Sequence, residues 1–354
     1  MNLLDQTVTR IVPQDASARA QAKARLDQLT MPHWALGRLM DLAMDLAGMA
    51  RTIRPPVDRR VVVVMAGDHG VVAEGVTKYP QEVTCQMILN FLHKGAGINA
   101  LARVVDASVL VVNMGVAGDL GSAVEHGSFV SKPVGPGTRN IAVGPAMSRE
   151  EAVRSIETGI QLAHDLGASY DVLGTGEMGI GNTTPSSAIV AAVTGASPEE
   201  VTGHGTGIDD DQHRHKIAVV KRILEKNNPD PSDAIDVLTK IGGFEIGGLA
   251  GLILGAASMQ KPVIVDGFIS TAAALIAYGL SPTAGEYMIA AHRSVERGHT
   301  AALDHLKKQP LLDLDLRLGE GTGAALAMAL VEAAVRVLTE VATFEEASVS
   351  HAIE

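Results

Sequence analysis

The sequence predicts an α/β protein: a parallel β-sheet with helices on both faces, plus a small helical domain built from both terminal segments. Three observations carry this. The run RRVVVV (59–64) has four consecutive valines, the mark of a strand buried on both faces. Units of strand, glycine-rich loop and helix recur along the chain, which implies parallel strands joined by helical crossovers. Charged residues are 19% and aromatics 3%, while small apolar residues abound, a composition suited to close packing of helices on a sheet. At 354 residues the chain can bury a large core.

In chain order, DASARAQAKARLDQL and WALGRLMDLAMDLAGMA predict helices, and Pro55-Pro56 ends that region. The valine strand runs into a turn holding Asp68, His69 and Gly70. SVLVVNMGVAG (108–118) is a second strand. SREEAVRSIETGIQLAHDLG (148–167) is a helix opened by a Ser148/Glu151 capping box and ended at Gly167. Residues 170–195 read as strand, glycine loop and helix, with Thr184 as cap and Pro185 in the first turn. PVIVDGFISTAAALIAYG (262–279) repeats the unit around Asp266, and GAALAMALVEAAVRVLTEVATF is a closing helix. The expected division is a small helical domain from 1–55 and 305–354, and a large α/β domain over 56–304. Ligands in such sheets bind beyond the carboxyl ends of the strands, where Asp68, Glu177 and Asp266 fall.

The net charge of −11 and the absence of a basic cluster argue against nucleic acid as a partner. The N-terminus has no signal-peptide pattern, and IGGLAGLILGAASM is too short and glycine-rich to span a membrane. A single cysteine excludes an intrachain disulfide and fits a cytoplasmic protein; Cys85 reads as a buried packing thiol in a helix.

GTGEMG (174–179) matches the dinucleotide pattern G-x-G-x-x-G, but its helix starts too late and the acids some 20 residues on, Glu199 and Glu200, lie in a helix start. No P-loop and no nucleophile elbow is present. The run GIGNTTPSS offers backbone N–H groups, hydroxyls and a helix N-terminus, as in a cradle for one phosphate; a tight turn capping a helix is the alternative. In TGHGTGIDDDQHRHK (202–216) the aspartates favour a helix start over a metal site, and His213 and His215 point apart. Lys216, in the second turn of that helix, could reach an anion held by the first loop; a solvated lysine is the alternative. Near the C-terminal end, LRLGEGTGAALA sets Glu320 between Gly319 and Gly321 against apolar flanks.

Taken in order, AGDHGVVAEGVTKYPQEVT, GTGEMGIGNTTPSSA, GGFEIGGLAG, VDGFISTAAALIA, HRSVERGH and LRLGEGTGAALA resemble the nicotinate-nucleotide–dimethylbenzimidazole phosphoribosyltransferase family, over nearly the whole chain. The resemblance implies a homodimeric enzyme of cobalamin lower-ligand assembly. It moves the phosphoribosyl group of nicotinate mononucleotide to 5,6-dimethylbenzimidazole, giving nicotinate and α-ribazole 5′-phosphate with inversion at the ribose carbon. It implies Glu320 as general base. Glu177, Gly179, Gly181, Asn182 and Thr183 match the loop that holds the nucleotide, with Lys216 as phosphate partner. Tyr79, Met87, Met178 and Leu318 match positions lining the acceptor-base pocket, where thioethers and a ring suit a flat heterocycle. Asp266 is expected to orient the ribose. No cofactor and no metal is expected, because a pyridinium leaving group needs no cation. Arg297 and Ala291 depart from the pattern, which has proline and commonly serine there. A dinucleotide-dependent oxidoreductase and a non-catalytic nucleotide-binding protein are the competing classes. Transfer to adenine, another benzimidazole or a phenol is the alternative within the class.

Overall fold

The valine run forms strand β1 (Arg60–Gly67), every residue of which is buried. In the computed structural model, which describes residues 2–121, 126–205 and 207–350, three helices precede it: α1 (Leu3–Arg10), α2 (Ala16–Leu26) and α3 (Arg38–Ala50). After it come α4 (Glu82–Leu92), α5 (Gly97–Val104), β2 (Ala107–Gly115), β3 (Phe129–Ser131), α6 (Arg149–Gly167) and β4 (Val172–Met178). There follow α7 (Thr183–Thr194), α8 (Pro198–Val201), α9 (Asp210–Asn227), α10 (Ala234–Ile241), α11 (Phe244–Ser258), β5 (Val263–Val265) and α12 (Phe268–Leu280). Strand β6 (Met288–Ala290), α13 (Gly298–His305), α14 (Thr322–Glu340) and α15 (Phe344–Ala347) complete the chain.

The six strands form one parallel sheet in the order β3-β2-β1-β4-β5-β6. The order reverses between β1 and β4, so the crevice for a ligand opens beyond their carboxyl ends. Asp68 and His69 follow β1, Glu177 is the penultimate residue of β4, and Asp266 follows β5.

Alternation along β1 sends Val62 toward α14 and Met65 toward α11. Helix α11 is buried on all sides from Phe244 to Ala257, as expected of a helix apolar all round. Its glycines permit backbone contact with α6. A Cβ on Gly251 would lie 1.9 Å from the Ile156 carbonyl oxygen, and one on Gly159 1.9 Å from that of Gly248. On the other face, α14 packs on β4 and β5 and is covered by α3 and α5. Helix α2 packs on α3 and α14, whereas α1, capped by Asn2, lies against α6 and α11. Among the described residues α14 alone is long and apolar enough to cross a membrane; its apolar face is buried in these contacts.

Three local expectations are corrected. Helix α7 begins at Thr183 with Asn182 at the cap, two residues before the expected start, because Gly181 (φ 89°) makes the turn and the Asn182 side chain is engaged elsewhere. Cys85 is only half-buried, its thiol donating to the Asp119 carbonyl. Gly167 is the last residue of α6 in helical conformation, and Ala168 at the C-cap is right-handed; the glycine instead makes room for Met259.

The α6–α11 contact yields a stability prediction. Gly251→Ala gains up to about 1 kcal/mol of helix propensity. It forces two backbones apart, and overpacking costs about 1–3 kcal/mol or more. The expected outcome is a lower urea midpoint for Gly251→Ala, while Gly144→Ala, where an added Cβ meets nothing within 4 Å, leaves the midpoint unchanged.

Candidate active site

A cavity of about 410 Å³ opens at the carboxyl ends of β4 and β5. Tyr79, Met87, Glu177, Met178, Gly179, Asn182, Thr183, Asp266, Leu318 and Glu320 all line it. Of the residues singled out in the sequence, Gly181, Lys216 and Asp68 do not; Asp68 Oδ2 accepts the Ala117 N–H at 2.8 Å. Gly181 supplies a left-handed turn packed on Val72, and Lys216 stands behind Thr183.

At one end, β4 passes through Gly179 and Gly181 into the N-terminus of α7. Residues Gly179–Thr183 present the turn, and Gly205 comes in from the loop before α9. Lys216 is 1% exposed and its Nζ donates to Thr183 Oγ1 at 2.7 Å. Burial lowers its pKa to about 8, with the Glu296 carboxylate acting in the opposite sense. A buried ammonium with one neutral partner, at the start of a helix, is a site in need of an anion.

Glu320 sits at the other side. The residues Gly319, Glu320 and Gly321 have φ of 79°, 62° and 88°. Glycine adopts this left-handed conformation freely; for Glu320 it costs about 1–3 kcal/mol. The turn is pressed against β4, since a Cβ on Gly176 would lie 2.5 Å from the Glu320 carbonyl oxygen. The carboxyl is 6% exposed, and its Oε2 accepts the Ile98 N–H at 3.0 Å in the first turn of α5. Burial raises its pKa above the ordinary range; the α5 amides pull it down and the Asp266 charge adds to the rise. Glu177, buried, is pushed up to about 8 by desolvation, against the pull of the amide hydrogen bond from Asn182 Nδ2 and with the neighbouring Asp266, Glu245 and Glu320 charges adding to it.

Behind the Gly179–Thr183 loop, His69 Nε2 and Glu245 Oε1 are 2.7 Å apart and both are buried. Gly67, Gly179 and Gly243 leave the room this pair occupies.

The structure corrects the reading of GTGEMG. Gly174 and Gly176, read as part of the loop after the strand, lie within β4. Side chains of Ala324 and Met328 fill the space over Gly174, and the Glu320 turn fills that over Gly176, so the glycines serve close approach of α14. In the 202–216 loop, His213 Nε2 meets the Thr202 carbonyl and His215 Nε2 the Glu74 carbonyl, on different sides of α9; Thr206 lies outside the described residues. Among the described residues no group of three His, Cys, Asp or Glu side chains is arranged to hold a metal ion.

Sequence reasoning assigned no role to His292, Ser294, Glu296, Arg317 or Phe268, which also line the cavity. His292 is 2% exposed and its Nδ1 has no hydrogen-bond partner. The signal for three of them was present in HRSVERGH, whose polar residues follow directly on β6.

Residues 11–349 match the profile of a phosphoribosyltransferase family. The nicotinate-nucleotide–dimethylbenzimidazole phosphoribosyltransferase of Syntrophotalea carbinolica is 63% identical over 350 residues, covering 99% of both chains. The enzyme of the same name from Desulfotalea psychrophila is 57% identical over 351 residues, again covering 99% of each. The crystal structure of the Thermus thermophilus enzyme of that name superposes with a TM-score of 0.90 at 44% identity, over 96% of this chain and 100% of that one. The chain therefore belongs to the nicotinate-nucleotide–dimethylbenzimidazole phosphoribosyltransferase family and is a pentosyltransferase.

Proposed function

We propose that the chain transfers the 5-phosphoribosyl group of nicotinate mononucleotide to 5,6-dimethylbenzimidazole, with Glu320 as general base. The observation that carries this reading is the position of Glu320: a buried carboxylate with one oxygen held by the Ile98 amide, facing a cavity whose far end is an anion cradle. In this reading Lys216 and the amides of Gly179–Thr183 hold the 5′-phosphate, and Gly181 shapes that turn. Tyr79, Met87, Met178 and Leu318 flank the flat acceptor ring. Tyr79 and Leu318 are 50% and 60% exposed, so they stand at the mouth and contribute most when a ring covers them.

The chemistry follows from these placements. A lone pair on one benzimidazole nitrogen forms the new bond to the ribose C1′. The bond from C1′ to the nicotinate nitrogen breaks, and its electron pair discharges the pyridinium. Positive charge moves onto the attacking ring, and Glu320 takes the proton from its second nitrogen. A raised pKa makes Glu320 a better base than a solvated carboxylate, and the fixed Oε2 aims the other oxygen. Attack from the face opposite nicotinate inverts C1′, giving α-ribazole 5′-phosphate. The Glu177 carboxyl, with its pKa at about 8, holds a proton at neutral pH and so adds no second negative charge to the nucleotide side. This reading includes a cytoplasmic homodimer, supported by the family resemblance and the single cysteine. It also includes a helical domain formed by 1–55 and 305–354, supported by the packing of α2 and α3 on α14, whereas α1 lies against α6 and α11.

The experiment that tests the reading is nicotinate release from nicotinate mononucleotide with and without 5,6-dimethylbenzimidazole. Release is expected to need the acceptor; tight nucleotide binding with no release in the presence of any base would overturn the reading.

Glu320→Gln is expected to bind nicotinate mononucleotide normally and to turn over about 10²–10⁴-fold more slowly, the range for loss of a positioned base. Turnover near the parent rate would remove Glu320 from that role. The acid limb of kcat/KM is expected above the usual carboxylate range, because the free enzyme must ionise a Glu320 whose pKa is raised. A limb near the ordinary value would show that another group titrates. Lys216→Ala should raise the KM for nicotinate mononucleotide about ten- to a hundredfold, since a hydrogen bond to a charged group contributes about 1.5–3 kcal/mol. The parent's kcat/KM should also fall as pH rises through about 8, where Lys216 loses its proton.

A further inference from the structure

We infer that Asp266 is a positioning residue for Glu320, acting through the N-terminus of α14, and not a ligand of the ribose. The inference rests on Glu320 being the base.

Helix α14 opens on Gly321, which has no side chain to cap it, so its first-turn amides need acceptors from elsewhere. Asp266 supplies them from the end of β5, more than fifty positions earlier in the chain. Its Oδ1 accepts the Ala324 N–H at 2.9 Å and its Oδ2 the Gly321 N–H at 3.3 Å. The Gly323 amide adds to the pull on the same carboxyl. Both oxygens are thus committed to the turn that begins one residue after Glu320. Asp266 is itself fixed, since its own N–H donates to Thr175 Oγ1 at 3.0 Å.

The need for such a clamp is visible in the backbone. Gly319, Glu320 and Gly321 form three consecutive left-handed residues. Thr322 closes the turn, its N–H and Oγ1 both donating to the Gly319 carbonyl, and β4 approaches it through Gly176 without a side chain; Asp266 ties the next amides to the sheet. A carboxylate at the positive end of a helix, bonded to its first amides, fixes where the helix starts. It therefore fixes where the preceding residue projects. His292 stands beside it, Nε2 3.8 Å from Asp266 Oδ1, and Gly323 has no Cβ where one would lie 2.0 Å from the His292 ring. The arrangement admits no bulkier residue at 323 and leaves the Asp266 oxygens turned to the amides.

The test separates positioning from substrate binding. Asp266→Ala, Asp266→Asn and Glu320→Gln are compared singly, and each Asp266 variant is combined with Glu320→Gln. Positioning predicts a fall of tenfold or more, to about a hundredfold, in kcat for Asp266→Ala, with the nicotinate mononucleotide KM within about threefold of the parent. It predicts a smaller fall for Asp266→Asn, which keeps one acceptor. In the Glu320→Gln background either substitution should then cost under about threefold, because two groups acting as a unit are not additive. A raised KM with kcat intact would overturn the inference in favour of a ribose contact. Full multiplicative loss in the double variant would overturn it in favour of an independent role. Asp266→Asn reports the same split should Asp266→Ala not fold. If Glu320→Gln alone turns over normally, the base reading fails and the inference with it; if only the double variant misbehaves, the base reading stands and the inference alone is lost.

Discussion

The constraint that shapes this molecule is the burial of carboxylates beside a cavity without leaving them free to discharge at random. Glu177, Glu245, Asp266 and Glu320 lie within one electrostatic neighbourhood, and each is removed from water. Such groups must be hydrogen-bonded or neutralised. The fold meets this in four ways. Asp266 takes amides from α14, Glu320 takes an amide from α5, Glu245 pairs with His69, and Glu177 accepts from Asn182 and rises in pKa. The helix starts around the cavity are therefore sites of charge compensation as well as ends of packing units.

The glycines follow from the same constraint. For a helix start to present its amides to a carboxylate at the end of a strand, backbone must meet backbone. Gly176 against the Glu320 turn, and Gly97 beneath Leu318 and the Glu320 carboxyl, are positions where a Cβ would intrude. The same logic on the far face lets α11 and α6 touch at Gly159 and Gly251. This explains how a chain so rich in glycine holds so dense an interior: the missing side chains mark where main chains are in contact.

Much of this was legible in the sequence, element by element. The four valines gave β1 its double burial, and Ser148 with Glu151 gave the start of α6, because both are local patterns read at fixed spacing. The family resemblance brought Glu320 and the 177–183 loop into one argument. What the sequence did not disclose is non-local. The short strands β3 and β6 have three residues each, too few for a periodic signal. The glycines of GTGEMG are indistinguishable in sequence from turn glycines; only α14, arriving about 150 residues later, reveals them as a contact surface. His292 and Glu296 enter the cavity from a loop whose path is set by the pairing of β6 with β5. Asp266 was expected to orient the ribose; that its oxygens accept amides of the α14 start is a contact no local pattern links to it.

The position of Glu320 in the chain has a consequence for how the protein is made. All six strands have been synthesised by Ala290, and with them the turn Gly179–Thr183 and Lys216. The turn of Gly319–Gly321 and the helix behind it come thirty residues later and must dock onto a strand, β4, that was synthesised long before. A nascent chain thus reaches a stage at which Gly179–Thr183 and Lys216 are present while the Glu320 turn is not. Closure of that face of the sheet is postponed to the last part of synthesis, so a chain cut short before that turn would leave β4 and β5 uncovered on the side that α14 packs against.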